Sequence, residues 1–319
     1  MNVQIILGQM LMLFAMMLIG YVIWKKNWLD ESAYQKLSRI VVNIFNPVLV
    51  IYGVAGKSSA GNTGLLLQNL GFVALYFVIL WAMSYVIPAT VRPTYGEKNL
   101  YRFMTMFANV GFMGIPVITG IYGNDSMIYI VFYMLVYNLL IYTYGINLAG
   151  KAGEIQRQER GENHTGEKVS FSWKRMLNIG VIASVAAILI FIFQIPLPNM
   201  VVGFCDYIGN ATIPLSMLLI GASIAKVNLK AIFSTGRIYL FTLLRMVVLP
   251  IIVTLLLKNM IPVNEMIFGV FILQMSMPVG SIVALMAKEN GADETCCTNG
   301  IVLTTLLSLI TIPVVCLFL

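Results

Sequence analysis

Charge is scarce in this chain. Lys, Arg, Asp and Glu make up 10% of the 319 residues and hydrophobic residues 59%, with a mean hydropathy of +0.88, which leaves too few polar groups to cover a water-soluble fold. Histidine is nearly absent. His164 is the single one and lies in a polar segment, so a zinc site or a catalytic base built on histidine is excluded. The four cysteines, Cys205, Cys296, Cys297 and Cys316, fall in or at the ends of apolar runs without metal-ligand spacing and read as packing residues. Acids are equally rare inside those runs: Asp206 is the one carboxylate well within any of them, which leaves a proton relay without its usual carrier. The expectation is therefore a protein that is not an enzyme and needs neither metal nor other cofactor.

What is present is apolar sequence in lengths suited to a bilayer. Candidate crossings lie at 4–24, 38–55, 65–88, 100–121, 126–149, 176–195, 200–224, 237–257, 263–287 and 297–318, ten in all. The first has no basic leader or small-residue cleavage site and is read as retained. The net charge of +7 would suit nucleic acid in a soluble protein, but the positions of the basic residues give a better account. They cluster after the first, third, fifth, seventh and ninth crossings, whereas only Lys57 and Lys258 fall on the other face. Basic loops mark the cytoplasmic side, so both termini are expected outside, the bilayer is a partner and nucleic acid is not.

Three landmarks recur at almost one spacing. "NIFNP", with Asn43, Asn46 and Pro47, corresponds to "NATIP", with Asn210, Thr212 and Pro214, its Asn and Pro at an offset of 167; "NVG" from Asn109 corresponds to "PVG" from Pro278 at 169, and Asp125 to Asp293 at 168. Five crossings per copy is an odd number, so the second copy enters from the opposite side. The expected fold is all-α and polytopic, ten transmembrane helices in two inverted five-helix repeats: 1–150 (helices 1 to 5), a cytoplasmic connector at 151–174, and 175–319 (helices 6 to 10).

Two crossings carry residues that spoil a helix. The fourth holds Asn109, Gly111, Gly114 and Pro116, and the ninth holds Gln274, Pro278, Gly280 and Ser281. Proline lacks an amide hydrogen and its ring strikes the carbonyl four residues back, so Pro116 is expected to release the carbonyl of Phe112, and Pro278 that of Gln274. Exposed backbone is tolerated at membrane depth only beside protein or a watery cavity. Broken fourth and ninth helices then present amides near Ile115 and Pro278 to an anion at the midplane. By the same reasoning Pro47 and Pro214 free the carbonyls of Asn43 and Asn210, and Asn43, Asn46, Asn210 and Thr212 join Asn109 and Ser281 as candidate lining residues, with interhelical hydrogen bonding as the alternative role. Arg245 lies inside the eighth crossing, about 12 Å beyond Arg237 at 1.5 Å per residue, and calls for a partner: Asp206, Glu265 or an anionic substrate.

Four stretches, "GYVIWKKNWLDESAYQKLSRIVVNIFNPVLVI", "NVGFMGIPVITGIYG", "TIPLSMLLIGASIA" and "GADETCCTNGIVLTTLLSLITIPVV", together resemble the auxin efflux carrier family in its bacterial branch. The resemblance implies a bacterial cytoplasmic-membrane carrier in which the fourth and ninth helices cross where they break. It also implies a scaffold of helices 1, 2, 6 and 7, an elevator-like transport domain, a small organic anion such as malate or malonate as cargo, and homodimers. The family's crossover asparagine and prolines map onto Asn109, Pro116 and Pro278. A ligand-binding membrane sensor and a sodium-coupled symporter of the bile-acid type stand as the alternatives.

Overall fold

The computed structural model describes residues 3–55, 63–161, 178–227, 232, 236–258, 260 and 263–319, and among these every regular element is helical. We number the α-helices in chain order. α1 is Val3–Lys25; α2, Glu31–Ile40, continues through a π turn, Val41–Phe45, into α3, Asn46–Tyr52. α4 is Thr63–Val91, α5 Lys98–Met106 and α6 Gly114–Tyr122; α7, Met127–Leu140, runs through a π turn at Ile141–Gly145 into α8, Ile146–Glu159. α9 is Ile179–Ile192 and α10 Asn199–Ala225; α11, Gly236–Leu243, passes through a π turn at Leu244–Val248 into α12, Leu249–Leu257. α13 is Glu265–Ser276, α14 Ile282–Glu289 and α15 Thr295–Cys316.

Six of these segments are long and apolar enough to cross a bilayer: Gln4–Lys25, Gly64–Val91, Asn124–Glu159, Asn199–Ala225, Gly236–Leu257 and Thr295–Cys316. Ile179–Ile192 and Glu265–Ser276 are apolar but shorter. The other expected crossings are divided for visible reasons: α2 carries Glu31, Lys36 and Arg39 ahead of the apolar run, and residues 107–113 and 277–281 interrupt the fourth and ninth. Helix starts follow the side chains that can accept from free amides. Asp30 accepts from Ala33 N at 2.7 Å, Asn178 from Val181 N at 3.0 Å, and Asn264 from Met266 N and Ile267 N. The polar run 151–174 divides too, since α8 continues to Glu159; residues 162–177, with His164, lie outside the described residues.

Proline acts differently at each site. Pro47 and Pro250 each stand just beyond a π turn, Val41–Phe45 and Leu244–Val248, where the ladder shifts by one residue to bypass the missing donor. Pro214 lies within a helix that continues from Asn199 to Ala225, so the sequence pair Pro47 and Pro214 does not produce matching local structure. Pro116 is the third residue of α6, where a helix has amides to spare, and the interruption lies upstream of it rather than at Phe112 alone.

Two groups of helices pack within themselves and are joined where α9 lies along α7 and where α1 meets α6 and α15. In one, α1 lies along α10 and α3 packs against α10 and α9. The approach of α1 and α10 requires glycine twice, since a Cβ on Gly20 would sit 2.1 Å from the Leu218 carbonyl oxygen and one on Gly221 1.8 Å from that of Met17. The other group contains α4, α5, α7, α8 and α11 to α15 around a core of Tyr76, Phe103, Phe107, Tyr133 and Phe271. Large apolar side chains such as Leu18, Val78, Leu255 and Leu256 point outward, as lipid-facing residues do. We expect Gly221→Val to separate α1 from α10 and to destabilise the protein by about 1–3 kcal/mol or more, read as a fall in melting temperature in detergent, with Gly8→Val, at an open position, as the neutral control.

Candidate substrate site at the helix crossover

The two interruptions meet. Ala108 and Val279 form an antiparallel bridge, with Asn109 N donating to Pro278 O at 2.7 Å and Gly280 N donating to Phe107 O at 3.0 Å. Each break thus supplies the partners that the other lacks, and Val279 N finds the Thr304 hydroxyl at 3.1 Å. Glycine is needed for the approach: a Cβ on Gly280 would lie 3.0 Å from the Tyr137 hydroxyl and 3.1 Å from Ala108 O, and one on Gly114 2.9 Å from Gln274 Oε1.

Arg245 holds the crossover from one side. Its side chain is 1% exposed; Nε donates to Thr105 O at 2.9 Å, and Nη1 donates to Met275 O. Thr105 and Met275 are in the last turns of α5 and α13, so one guanidinium caps both half-helices that end at the break. Each helix end carries roughly half a negative charge, and two of them offset one cation. The expected partners Asp206 and Glu265 are not used: among the described residues Arg245 makes no ion pair, Asp206 accepts from Asn210 Nδ2 at 2.6 Å, and Glu265 sits in the first turn of α13. The Tyr76 hydroxyl lies beside the guanidinium and makes a long 3.5 Å contact with Gln274 O. Tyr76 and Arg245 are 169 positions apart, as are Thr105 and Gln274, and Asn109 and Pro278. One offset of 169 therefore carries the Arg245–Thr105 bond onto the Tyr76–Gln274 contact and Asn109 onto the Pro278 it bonds, whereas the neighbouring pairs Ala108–Val279 and Phe107–Gly280 differ by 171 and 173, as antiparallel pairing requires.

On the other side of the crossover a cavity of about 500 Å³ opens between the two helix groups. One wall is α2 and its π turn, with Gln35, Ser38, Arg39 and Asn43, together with Ser223 near the end of α10; the other holds Asn109, Tyr142, Ser281 and Thr305. Its volume lies within the usual range for a small-molecule site. Asn109 is oriented by its own backbone. Its Oδ1 accepts from Phe112 N at 3.1 Å and its carbonyl from Gly114 N at 2.9 Å, which leaves the Nδ2 donor at the cavity wall. Ser281 and Ile282 also line the cavity, so the positive end of α14 faces it.

Of the residues singled out from sequence, Asn43, Asn109 and Ser281 come together on the cavity. Gly114, Pro116, Pro278, Gly280, Gln274 and Arg245 are buried in the crossover, with Gly111 half-buried beside them. Asn46 is half-buried on α3, Asn210 is exposed and bonded to Asp206, and Thr212 is buried with its hydroxyl on Ile208 O at 3.3 Å; none of the three lines the cavity. The amides expected to be free at the start of α6 are engaged, Gly114 N by Asn109 O and Ile115 N by Gly111 O, and the helix start that lines the cavity is that of α14. Sequence reasoning passed over Gln35, Ser38, Arg39 and Thr305, although Glu31, Gln35, Arg39 and Asn43 recur every four residues, the period of one helix face.

The mouth is polar. Lys226 Nζ lies 2.8 Å from Glu31 Oε2 and over the rings of Tyr34 and Trp24, 3.3 and 4.6 Å from their centroids. The hydrogen bond from Lys226 holds the Glu31 carboxyl below its ordinary value, while burial lowers the Lys226 ammonium.

The sequence matches the membrane transport protein family over residues 5–316. The chain belongs to this family. It is the auxin efflux carrier family that the motifs resemble. Among curated relatives, an uncharacterized transporter of Methanothermobacter thermautotrophicus is 24% identical over 309 residues, 95% of each chain. A second, the uncharacterized transporter YLR152C of Saccharomyces cerevisiae, is 33% identical over 90 residues, 26% of this chain and 16% of that one. As a membrane transporter, the family member described here carries a crossover at its centre whose integrity rests on Arg245. Arg245→Met leaves the carbonyls of Thr105 and Met275 without their donor, and we expect a loss of about 3–5 kcal/mol, the usual cost of deleting one partner of a buried charge site. Arg245→Lys, which keeps the cation, should recover part of the melting temperature. The Glu31 shift has its own sign: with the carboxyl held low in the folded protein, its contribution is present above the ordinary carboxylate range and disappears as pH falls through the lowered value. Glu31→Gln should therefore narrow the difference in melting temperature between pH 7 and acid pH.

Proposed function

We propose that this transporter moves a small organic anion, of the malate or malonate type, across the bacterial cytoplasmic membrane by alternating access with an elevator-like movement. The reading places ten crossings in two inverted five-helix repeats, with the charged mouth at Glu31 and Lys226 toward the cytoplasm and both termini outside. The common offset of 169 supports the repeat, since it carries the Arg245–Thr105 bond onto the Tyr76–Gln274 contact and relates Asn109 to the Pro278 it bonds, as a two-fold relation between halves would. The cavity between one group containing α1, α3 and α10 and another containing the crossover supports a sliding movement of the second against the first.

The observation that carries the anion is Asn109. Its acceptor is committed to Phe112 N, so the group left for a ligand is a donor, and the start of α14 beside it adds positive potential. Arg245 is assigned here to the crossover's structure rather than to direct contact with the cargo, because it does not line the cavity. A homodimer is the assembly expected from the resemblance.

Two measurements test the reading. Purified protein in liposomes should accumulate labelled malate or malonate above protein-free vesicles, in an amount that follows an imposed membrane potential; absence of uptake for these acids removes the substrate class. Asn109→Asp keeps an oxygen for Phe112 N but replaces the outward donor with negative charge. It should raise KM about tenfold or more with little change in melting temperature, as expected for converting a charge-assisted hydrogen bond into a repulsion. Unchanged KM would assign Asn109 to packing.

A further inference from the structure

We propose that Arg39 is the residue that recognises the acidic group of the substrate in the cavity, setting specificity for an anion over its neutral analogue. This rests on the anion-transport reading above and adds to it a residue on the opposite wall.

Three charged side chains line the cavity, Glu31, Arg39 and Glu289. Glu31 is engaged by Lys226, which is itself fixed over two aromatic rings. Glu289 ends α14 on the far wall, next to Lys288, whose ammonium is 2.9 Å from Glu294. Arg39 has no such partner: its carbonyl accepts from Asn43 Nδ2 at 2.9 Å, while its guanidinium makes no hydrogen bond or ion pair among the described residues. Arg245, by contrast with the exposed Arg39, is buried and spent on the carbonyls of Thr105 and Met275. An anion entering the cavity therefore meets one uncommitted cation.

Its position fits that role. Gln35, Arg39 and Asn43 follow one another along α2 and its π turn, each about 6 Å further along the axis at a helical rise of 1.5 Å per residue, and all three line the cavity with Asn109 and Ser281. A guanidinium offers paired donors that match the two oxygens of a carboxylate, so Arg39 can hold one face of the acidic group while Asn109 Nδ2 and the start of α14 attract it from the other. If the second group carries the cargo along the first, this contact forms between the wall that moves and the wall that stays.

The test uses full-length protein in liposomes, with labelled malonate as the acid and malonamide as its neutral analogue. Arg39→Gln should raise KM for malonate about tenfold, in line with loss of one charge-assisted contact, leave kcat and melting temperature close to wild type, and abolish the preference for malonate over malonamide. Arg39→Lys should restore most of the preference. Wild-type uptake of malonate with an unchanged KM in Arg39→Gln overturns the assignment and leaves the transport reading standing. A fall in kcat at constant KM also overturns it, pointing to a role in closure. Absence of any anion uptake by the wild type ends both.

Discussion

The structure depends on two interrupted helices completing one another. A backbone that leaves helical geometry inside a bilayer exposes donors and acceptors that neither lipid nor water can satisfy there, at about 2–7 kcal/mol for each group left unpaired. Here the cost is avoided by exchange. Asn109 N and Gly280 N find carbonyls on the opposite break, and Val279 N finds the hydroxyl of Thr304. Because each break is tolerable only in the presence of the other, the crossover is a single unit, and Gly114 and Gly280 are small because the facing chain lies within contact distance of where a Cβ would be.

Arg245 belongs to the same constraint. Two helix ends pointing at one place would repel each other, and a guanidinium between them satisfies their carbonyls while offsetting their partial charges. This explains how a cation can be 1% exposed without a carboxylate beside it. A buried arginine reads from sequence as half of an ion pair, and the expectation of Asp206 or Glu265 as partner was reasonable but wrong. The acceptors are main-chain oxygens, which every residue has and which composition cannot reveal.

Function follows from the asymmetry of the crossover. One face is sealed by Arg245, Tyr76 and Gln274, and the other opens on a cavity whose polar lining includes Asn109, Ser281 and the buried Thr305. The chain's membership of a membrane transport family fits a fold whose irregular backbone lies at the boundary between two packed groups. The cavity also draws on α2, a short charged helix whose first turns precede the apolar run, so Gln35 fell outside the expected crossing and Arg39 at its edge read as one of the basic residues that mark the cytoplasmic side.

The sequence by itself determined that the chain is a helical membrane protein, where its helices weaken, and that Asn109, Pro116, Pro278 and Ser281 mark the weak points, because hydropathy and the missing amide of proline are local properties. Offsets of 167 to 169 pointed to two related halves. Tertiary structure decided which weak points matter. Pro214 sits in a continuous helix and Pro47 beside a π turn, while Asn46, Asn210 and Thr212 lie away from the cavity, since a polar side chain in a membrane helix can bond its own turn as readily as a ligand. It also decided the direction of Asn109, because only the fold shows that the amide of Phe112 consumes its oxygen and leaves its nitrogen for something else.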